Sequence, residues 1–214
     1  MAAPSDNSTS ENSANLSNHT GEGVVLDIGT GDGRFAYRSA QLNPNKFYIG
    51  IDANAKPLEK ISMKATRKAS KGGLPNVLFI QAAVENLPEE LNATADEIHI
   101  HFPWGSLLRA VAVGDEEVLQ SLRRVSAPEC LLEIVIGLDE ERDRTEIERL
   151  GLPPLLSAEY LEKVLLPKYE AAGFVILEKG VLNSSEWSRM ETSWARKLHG
   201  GASRKVVSLI FRAS

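Results

Sequence analysis

Three glycines at alternate positions follow a short apolar run near the start of the chain, and their spacing is suited to holding a ligand. The run and the glycines form V-V-L-D-I-G-T-G-D-G-R, residues 24–34, and the apolar part is typical of a strand buried on both faces. Gly29, Gly31 and Gly33 lack a Cβ atom, so the backbone can turn sharply and approach a ligand closely. A helix expected after them would direct free amides and its positive dipole end toward that ligand. The segment predicts a cofactor loop, although a glycine-rich turn of another α/β protein would have a similar composition.

The glycine spacing also narrows the class of cofactor. A dinucleotide fingerprint needs glycine or alanine three residues after Gly31, and this chain has Arg34 there. No G-K-[ST] sequence follows a glycine loop anywhere in the chain, which excludes a P-loop. Nicotinamide, flavin and nucleoside triphosphates are therefore disfavoured as ligands of this loop.

Two later segments are expected beside the glycine loop in a parallel sheet. A second buried strand, residues 47–51, ends at Asp52, about 20 residues beyond the loop, where a carboxylate can accept both hydroxyls of a ribose. A third strand leads into the loop of residues 81–88, where an adenine ring could lie against Val84 and Glu85. The alternatives are a surface acid at a strand end for Asp52 and a helix cap for Glu85.

A second chemical site is expected where a fourth strand, residues 97–101, runs into F-P-W-G-S-L-L. Pro103 has a fixed φ and biases Phe102 toward extended backbone, so carbonyls at the strand end can point into the cleft. Ligands of doubly wound sheets bind at this edge. Trp104 is held out on a stiff turn and is suited to stacking a substrate base. The alternative is that Trp104 only covers the core.

Cations are concentrated in two segments of an acidic chain, which has 24 Lys and Arg against 29 Asp and Glu and a net charge of −5. Residues 56–71 are predicted to form a helix with a basic stripe, made of Lys56, Lys60, Lys64, Arg67, Lys68 and Lys71. Residues 187–205 place Trp194 among five cations, Arg189, Arg196, Lys197, Arg204 and Lys205. A tryptophan flanked by cations is expected where nucleic acid is stacked and clamped. The alternatives are a solvated helix face and a tryptophan that anchors the segment to the core.

Length and composition predict one α/β domain, residues 23–214, after a disordered tail, residues 1–22, that is rich in Ser and Asn. No stretch approaches a membrane span, and no secretory signal is present. The single Cys excludes an internal disulfide. We therefore expect a cytoplasmic protein, and a monomer, without a membrane partner.

Metal binding is not expected from the sequence. His99 and His101 lie two residues apart on one strand face, but no further Cys or His nearby completes a metal shell. Cys130 borders an apolar strand, which favours a buried structural thiol over a nucleophile.

The glycine loop, read as D-x-G-x-G-x-G from Asp27, resembles the first motif of the Rossmann-like S-adenosylmethionine methyltransferases. From Val24 to about Val207 the chain resembles the aminoglycoside-resistance methyltransferases of the 16S rRNA (adenine 1408, N1) class. The resemblance rests on five motifs, D-I-G-T-G-D-G-R, I-G-I-D, S-K-G-G-L-P-N-V, F-P-W-G-S-L-L and E-T-S-W-A-R-K-L-H, which start at residues 27, 49, 70, 102 and 191.

The resemblance implies a class I fold, α/β with a seven-stranded, mostly parallel sheet and an antiparallel last strand. It implies S-adenosylmethionine as methyl donor, the small ribosomal subunit as substrate, N1 of the decoding-site adenine as acceptor, and aminoglycoside resistance as the outcome. The flipped adenine would lie between Trp104 and Trp194, with backbone groups of Phe102 and Pro103 near its exocyclic amine. Candidate cofactor contacts are Asp27, Gly29, Thr30, Gly31, Gly33, Asp52, Val84 and Glu85. Candidate RNA contacts are Lys64, Arg67, Lys68, Lys71, Thr192, Arg196, Lys197 and Arg204.

Two departures from the family pattern bear on RNA binding. No cation precedes Arg34, where the family usually has a partly basic extension. Lys197 stands where the family commonly has Arg. Residues 202–203 are Ala and Ser, where the family commonly has a further basic residue. Because each lost phosphate contact lowers affinity, these departures would weaken ribosome binding and resistance. The alternative functions are methylation of tRNA or another RNA, and a non-catalytic protein that binds cofactor or RNA.

Overall fold

A computed structural model describes residues 22–154, 157–182 and 205–214 of the chain, with only the backbone of Lys205. Seven strands form one sheet: β1 (Val24–Ile28), β2 (Phe47–Asp52), β3 (Val77–Gln81), β4 (Ala95–His101), β5 (Ser126–Leu138), β6 (Phe174–Leu182) and β7 (Lys205–Ala213). Their spatial order is β3-β2-β1-β4-β5-β7-β6. Strands β1 to β5 pair in parallel, and β7 is antiparallel to both β5 and β6. The predicted sheet with an antiparallel last strand is confirmed.

Helices connect the strands on both faces of the sheet. They are α1 (Arg34–Leu42), α2 (Ala55–Ala65), α3 (Gly105–Val113), α4 (Glu116–Val125), α5 (Arg144–Leu150), α6 (Ala158–Tyr160) and α7 (Leu166–Ala171). A π-helical turn, Leu161–Leu165, joins α6 to α7, and short 3-10 turns occupy Ala69–Lys71, Val84–Asn86 and Glu89–Leu91. None of the helices in the described ranges is long and apolar enough to cross a membrane.

The sheet separates two hydrophobic clusters. The larger cluster includes Leu108 of α3, Leu122 of α4 and Tyr169 of α7, and the Tyr169 ring stacks on Phe211 of β7 at a centroid distance of 4.4 Å. The smaller cluster lies under α1 and includes Tyr37. Central strands covered on both faces explain why their sequences are almost continuously apolar.

The predicted helix over residues 56–71 was wrong at its carboxyl end, because α2 stops at Ala65. The carbonyl of Ala65 accepts the N–H of Leu74, and the carbonyl of Lys68 accepts the N–H of Gly73. A Cβ atom on Gly73 would lie 1.5 Å from the carbonyl oxygen of Arg67, so only glycine allows this close turn. We call residues 66–73 the basic turn.

Two further expectations concern the chain start and the cysteine. The predicted tail falls outside the described residues except for Glu22, whose N–H donates to the carbonyl of Asn45 at 2.7 Å. Cys130 is buried in β5, as expected, and burial raises the pKa of its thiol to about 11. A thiol protonated at neutral pH is a poor nucleophile, which agrees with a structural role.

Candidate cofactor and RNA site

The glycine loop joins β1 to α1 at the carboxyl edge of the sheet. Gly29, Gly31 and Gly33 have φ values of 73°, 61° and 70°, in the left-handed region that favours glycine. A Cβ on Gly31 would meet nothing within 4 Å, whereas one on Gly29 would lie 2.5 Å from Leu107 and one on Gly33 2.5 Å from Phe79. Gly31 therefore faces open space, and the other two glycines allow close packing.

Asp52 ends β2 directly beside this loop. Its Oδ2 accepts the N–H of Gly31 at 2.9 Å, and its Oδ1 accepts the N–H of Asn54 at 2.9 Å. These two bonds fix the carboxylate plane, and each oxygen keeps a further lone pair for a ligand. The geometry suits acceptance of two ribose hydroxyls.

An open cavity of about 430 Å³ lies over the loop, within the size range of small-molecule sites. Seven of the eight predicted cofactor residues line it, as do all three residues predicted at the end of β4. They are Asp27, Gly29, Thr30, Gly31, Asp52, Val84, Glu85, Phe102, Pro103 and Trp104. Gly33 does not line the cavity; its absent Cβ makes room for Phe79 and Ile61.

Asp27 lies beneath the loop with 3% of its surface exposed. Burial raises the pKa of its carboxyl group, although the hydrogen bond donated by the Thr30 hydroxyl partly opposes that effect. A cationic group placed above the loop would stabilise the ionised form of Asp27. The sulfonium and amino groups of S-adenosylmethionine are such cations, so this carboxyl group fits the implied cofactor.

The backbone after β4 turns more sharply than the sequence predicted. Phe102 has a φ of 49°, so the expected extended conformation was wrong. Its N–H donates to the carbonyl of Val135 at 2.7 Å, and its ring is buried against Val135 and Val206. Left-handed backbone costs a residue with a side chain roughly 1–2 kcal/mol, and this bond and the ring burial offset that cost. Strain of this kind often accompanies a functional site.

Trp104 follows this turn and precedes the first residue of α3. Its side chain is 39% exposed while it lines the cofactor cavity. Gly105 continues the turn with a φ of 60°. An indole at the rim of a cofactor cavity offers an apolar surface on which a base can stack.

Several residues of the cavity were not predicted from the sequence, and His101 is the most informative of them. His101, Phe35, Ser106 and Leu107 all line the cavity. Ser106 and Leu107 belong to the F-P-W-G-S-L-L motif, which was the signal available for them. The alternating residue pattern of β4 predicts which face of the strand His101 lies on. Only the fold shows that this face meets Phe35 of α1, at a ring-centroid distance of 4.8 Å.

Two glutamates, Glu97 and Glu133, lie beside the two histidines of β4. Burial lowers the pKa of His99, but hydrogen bonds to Glu133 and Glu97 outweigh it and raise that pKa to about 9. The pKa of Glu97 is lowered to about 2, mainly by the hydrogen bond to His99. For Glu133, contacts with both histidines outweigh burial and lower the carboxyl pKa. His101 is buried, and its Nδ1 has no hydrogen-bond partner within the described part of the chain.

The basic turn lies at the far end of α2 from the cavity, about 16 Å away for a helix of 11 residues. Arg67, Lys68 and Lys71 are exposed there. Lys64 is only partly exposed, since its Nζ lies 4.2 Å from the centroid of the Tyr37 ring. The structure therefore brings three of the four predicted cations together in one exposed turn.

The second predicted RNA segment lies outside the described residues, apart from the backbone of Lys205. Trp194, Thr192, Arg196, Lys197 and Arg204 belong to it, and their roles stay predictions. Strand β7 begins at Lys205, the last residue of the predicted segment, and pairs with the end of β5. The segment thus leads into the strand next to β5.

Strand order, the glycine loop and the aspartate at the end of β2 together define a class I S-adenosylmethionine-dependent methyltransferase. The family model described as 16S rRNA (adenine(1408)-N(1))-methyltransferase matches residues 6–212. The chain belongs to this family, and the resemblance seen in its motifs is confirmed. The match begins inside the segment predicted as a tail.

Individual relatives agree with the family model. A 16S rRNA (adenine(1408)-N(1))-methyltransferase of Escherichia coli is 38% identical over 181 residues, which is 85% of this chain and 83% of that protein. The crystal structure of the aminoglycoside resistance methyltransferase NpmB1 matches with a TM-score of 0.82 and 46% identity, covering 96% of this chain and 93% of the other. A mutant 16S rRNA (adenine(1408)-N(1))-methyltransferase from Catenulisporales acidiphilia, crystallised with the cosubstrate SAM, has a TM-score of 0.83 and 32% identity and covers 95% and 90% of the two chains.

Proposed function

We propose that this chain methylates N1 of adenine 1408 in 16S rRNA, with S-adenosylmethionine as the methyl donor, and so confers aminoglycoside resistance. Family membership supports the reaction. The observation that carries the proposal is the position of Trp104, which is exposed at the rim of the same cavity that the glycine loop and Asp52 line. A base stacked on this indole would lie next to the cofactor.

S-adenosylmethionine supplies a methyl group on a sulfonium, which a nucleophile can accept in one displacement. Asp52 is positioned to accept the ribose hydroxyls, because its oxygens are already oriented by Gly31 and Asn54. Asp27, a buried carboxyl group beneath the loop, would stabilise a cationic group of a cofactor bound above it. Gly31 leaves room for the ligand, since a side chain there would extend into open space.

Adenine N1 carries a lone pair and no proton, so the reaction needs no strong base. Catalysis would therefore consist of extruding the base, stacking it and aiming N1 at the methyl group. Trp104 provides the stacking surface on the described side of the cavity. The strained turn at Phe102 fixes where Trp104 and Pro103 stand, because the Phe102 ring is locked in the core. Trp194 is the proposed second stacking surface.

The proposed partner is the small ribosomal subunit, and the basic turn is the part of the described surface best suited to its phosphates. Arg67, Lys68 and Lys71 are exposed and close together there. Because phosphate contacts come mainly from Lys and Arg, this turn would orient the cavity on the rRNA. A monomer acting in the cytoplasm, where ribosomes are found, completes the proposal.

Methyl transfer to purified small subunits tests the proposal. Labelled S-adenosylmethionine should transfer label to wild-type subunits, and primer extension should stop at adenine 1408, because methylation of N1 blocks the Watson–Crick edge. Subunits with guanine at position 1408 are the matched control and should show neither label nor stop. Label in total tRNA but not in subunits would overturn the proposal, as would the absence of any transfer.

Resistance provides a second readout. Expression in a susceptible bacterium should raise the minimal inhibitory concentrations of kanamycin and apramycin, and Trp104→Ala at equal expression should not. Unchanged susceptibility of cells whose adenine 1408 is methylated would contradict the resistance part of the proposal alone.

A further inference from the structure

Three side chains of types that can coordinate a metal lie together between β4 and β5, and one of them, His101, also lines the cofactor cavity. His99 and His101 share one face of β4, and Glu133 pairs with His99 in the parallel register of the two strands. Oε2 of Glu133 is 2.8 Å from Nδ1 of His99 and 2.7 Å from Nε2 of His101. One donor atom from each residue therefore lies within 4.8 Å of the other two.

The surroundings of His99 resemble those of a metal-binding histidine. A metal-bound imidazole usually donates its other N–H to a carboxylate, which fixes the ring. His99 has that arrangement, since its Nε2 is 3.3 Å from Oε2 of Glu97, and Glu97 is in turn held by Lys46. Phe35 covers the histidines from α1, with ring-centroid distances of 5.5 Å to His99 and 4.8 Å to His101.

An ion could reach the group from solvent. The side chains of His99 and Glu133 are 18% and 24% exposed, while that of His101 is 3% exposed. Two imidazoles and one carboxylate form a donor set that suits Zn²⁺ and leaves a fourth tetrahedral position for water.

We propose that His99, His101 and Glu133 bind one divalent transition-metal ion, Zn²⁺ being the ion their donor set favours. Nδ1 of His99 and Nε2 of His101 coordinate in their unprotonated form, so binding releases any proton held between them and Glu133. The ion would join β4 to β5 immediately before the strained turn at Phe102. The proposed role of the ion is structural, because it would hold together two neighbouring strands of the sheet.

The same contacts could also form a metal-free hydrogen-bonded network, and nuclear magnetic resonance separates the two. The chain has four histidines, His19, His99, His101 and His199. Zinc chloride should be added to tag-free, chelator-treated protein labelled with ¹⁵N in its imidazoles. Shifts of the His99 and His101 ring nitrogens that saturate at one equivalent would support the site. Shifts limited to His19 and His199, or no saturable shift at all, would overturn it.

Calorimetry with variants gives a second measurement. Wild-type protein should bind one Zn²⁺ per chain and melt at a higher temperature when Zn²⁺ is present. Glu97→Gln should weaken binding roughly 10- to 100-fold, and His99→Gln should weaken it further. Glu178→Gln, an exposed carboxylate on β6, is the matched control and should bind as the wild type does. Equal Zn²⁺ affinity in His99→Gln and wild type would overturn the site. No step uses S-adenosylmethionine or rRNA, so failure here leaves the methyltransferase proposal intact.

Discussion

The backbone N–H of Gly31 donates a hydrogen bond to Oδ2 of Asp52 at 2.9 Å, which ties the loop after β1 to the end of β2. Without this bond, the amide and the carboxylate could each turn away from the cavity. The bond orients two parts of the cofactor site together, because a shift of either strand end would move both. A substitution at Asp52 should therefore disturb the loop as well as the ribose contact.

Asp52→Asn should reduce the affinity for S-adenosylmethionine roughly 10- to 150-fold, since hydrogen bonds to charged groups contribute about 1.5–3 kcal/mol. An asparagine cannot satisfy its neighbours, because Gly31 and Asn54 both donate N–H groups and one amide terminus is itself a donor. Titration calorimetry measures the loss. Glu59→Gln, an exposed carboxylate on α2, is the control and should bind the cofactor normally. An Asp52→Asn protein with wild-type affinity would remove Asp52 from the site.

Alanine at Gly31 and alanine at Gly33 should have different effects. Both positions have a positive φ, so each substitution costs about 1–2 kcal/mol in backbone strain. At Gly31 the new methyl group meets no protein atom, whereas at Gly33 it meets Phe79 and Ile61, which adds about 1–3 kcal/mol of overpacking. Gly33→Ala should therefore melt at the lower temperature, and Gly31→Ala should lose more cofactor affinity. Thermal melting and calorimetry on both proteins check this, and the reverse order would contradict the cavity assignment.

Trp104→Ala should lower kcat/KM for small subunits roughly 5- to 150-fold, because stacking contributes about 1–3 kcal/mol per base. Trp104→Phe keeps an aromatic face and should lose less. Cofactor affinity should change little in either variant, because the glycine loop and Asp52 are the proposed cofactor contacts. The melting temperature should fall less than for a fully buried residue, because Trp104 is 39% exposed. Methyl-transfer rates, calorimetry and thermal melting together separate this outcome from a core role. A large fall in melting temperature with unchanged activity would show that Trp104 only covers the core.

Neutralising the basic turn should flatten the salt dependence of subunit binding. Each cation that contacts a phosphate contributes about 0.7–0.9 to the slope of log K against log salt concentration. Arg67→Gln and Lys68→Gln should each reduce the slope by about that amount while cofactor affinity stays the same. Lys163→Gln is the control, because Lys163 lies outside α2 and the basic turn and pairs with Glu159 four residues earlier. This variant should leave the slope unchanged. The measurement is subunit binding by each variant over a series of salt concentrations. Equal slopes in all three variants would show that the RNA-binding surface lies elsewhere.

Local sequence signals were enough to predict many of the residues that line the cavity. Alternate glycines, a buried strand before them and Asp52 after the next strand all act within one β-α-β unit. The turn at residues 102–105 was also placed correctly at a strand end, because a proline and a tryptophan follow an alternating strand. In each case, neighbours in the chain indicate where the feature lies.

Contacts between distant segments explain what the sequence did not reveal. Phe102 adopts a left-handed backbone because its N–H is bonded to Val135, a partner supplied by another strand. Glu133 reaches the two histidines of β4 only through the register of β5, which no spacing in the sequence encodes. The early end of α2 depends on Gly73 passing close to the carbonyl of Arg67.

Contacts within the domain hold the basic turn in one conformation, and this affects the rate at which RNA can bind to it. The Tyr37 hydroxyl donates to the carbonyl of Gly72 at 2.6 Å, and Gly73 packs against the backbone of Arg67. Fixing a flexible residue costs roughly 1–2 kcal/mol of conformational entropy, and here the turn is already fixed during folding. Encounter with the ribosome should then be limited by electrostatic attraction and diffusion rather than by ordering of this turn. Selection for rapid RNA binding would act on Tyr37 and Gly73 as well as on the cations themselves.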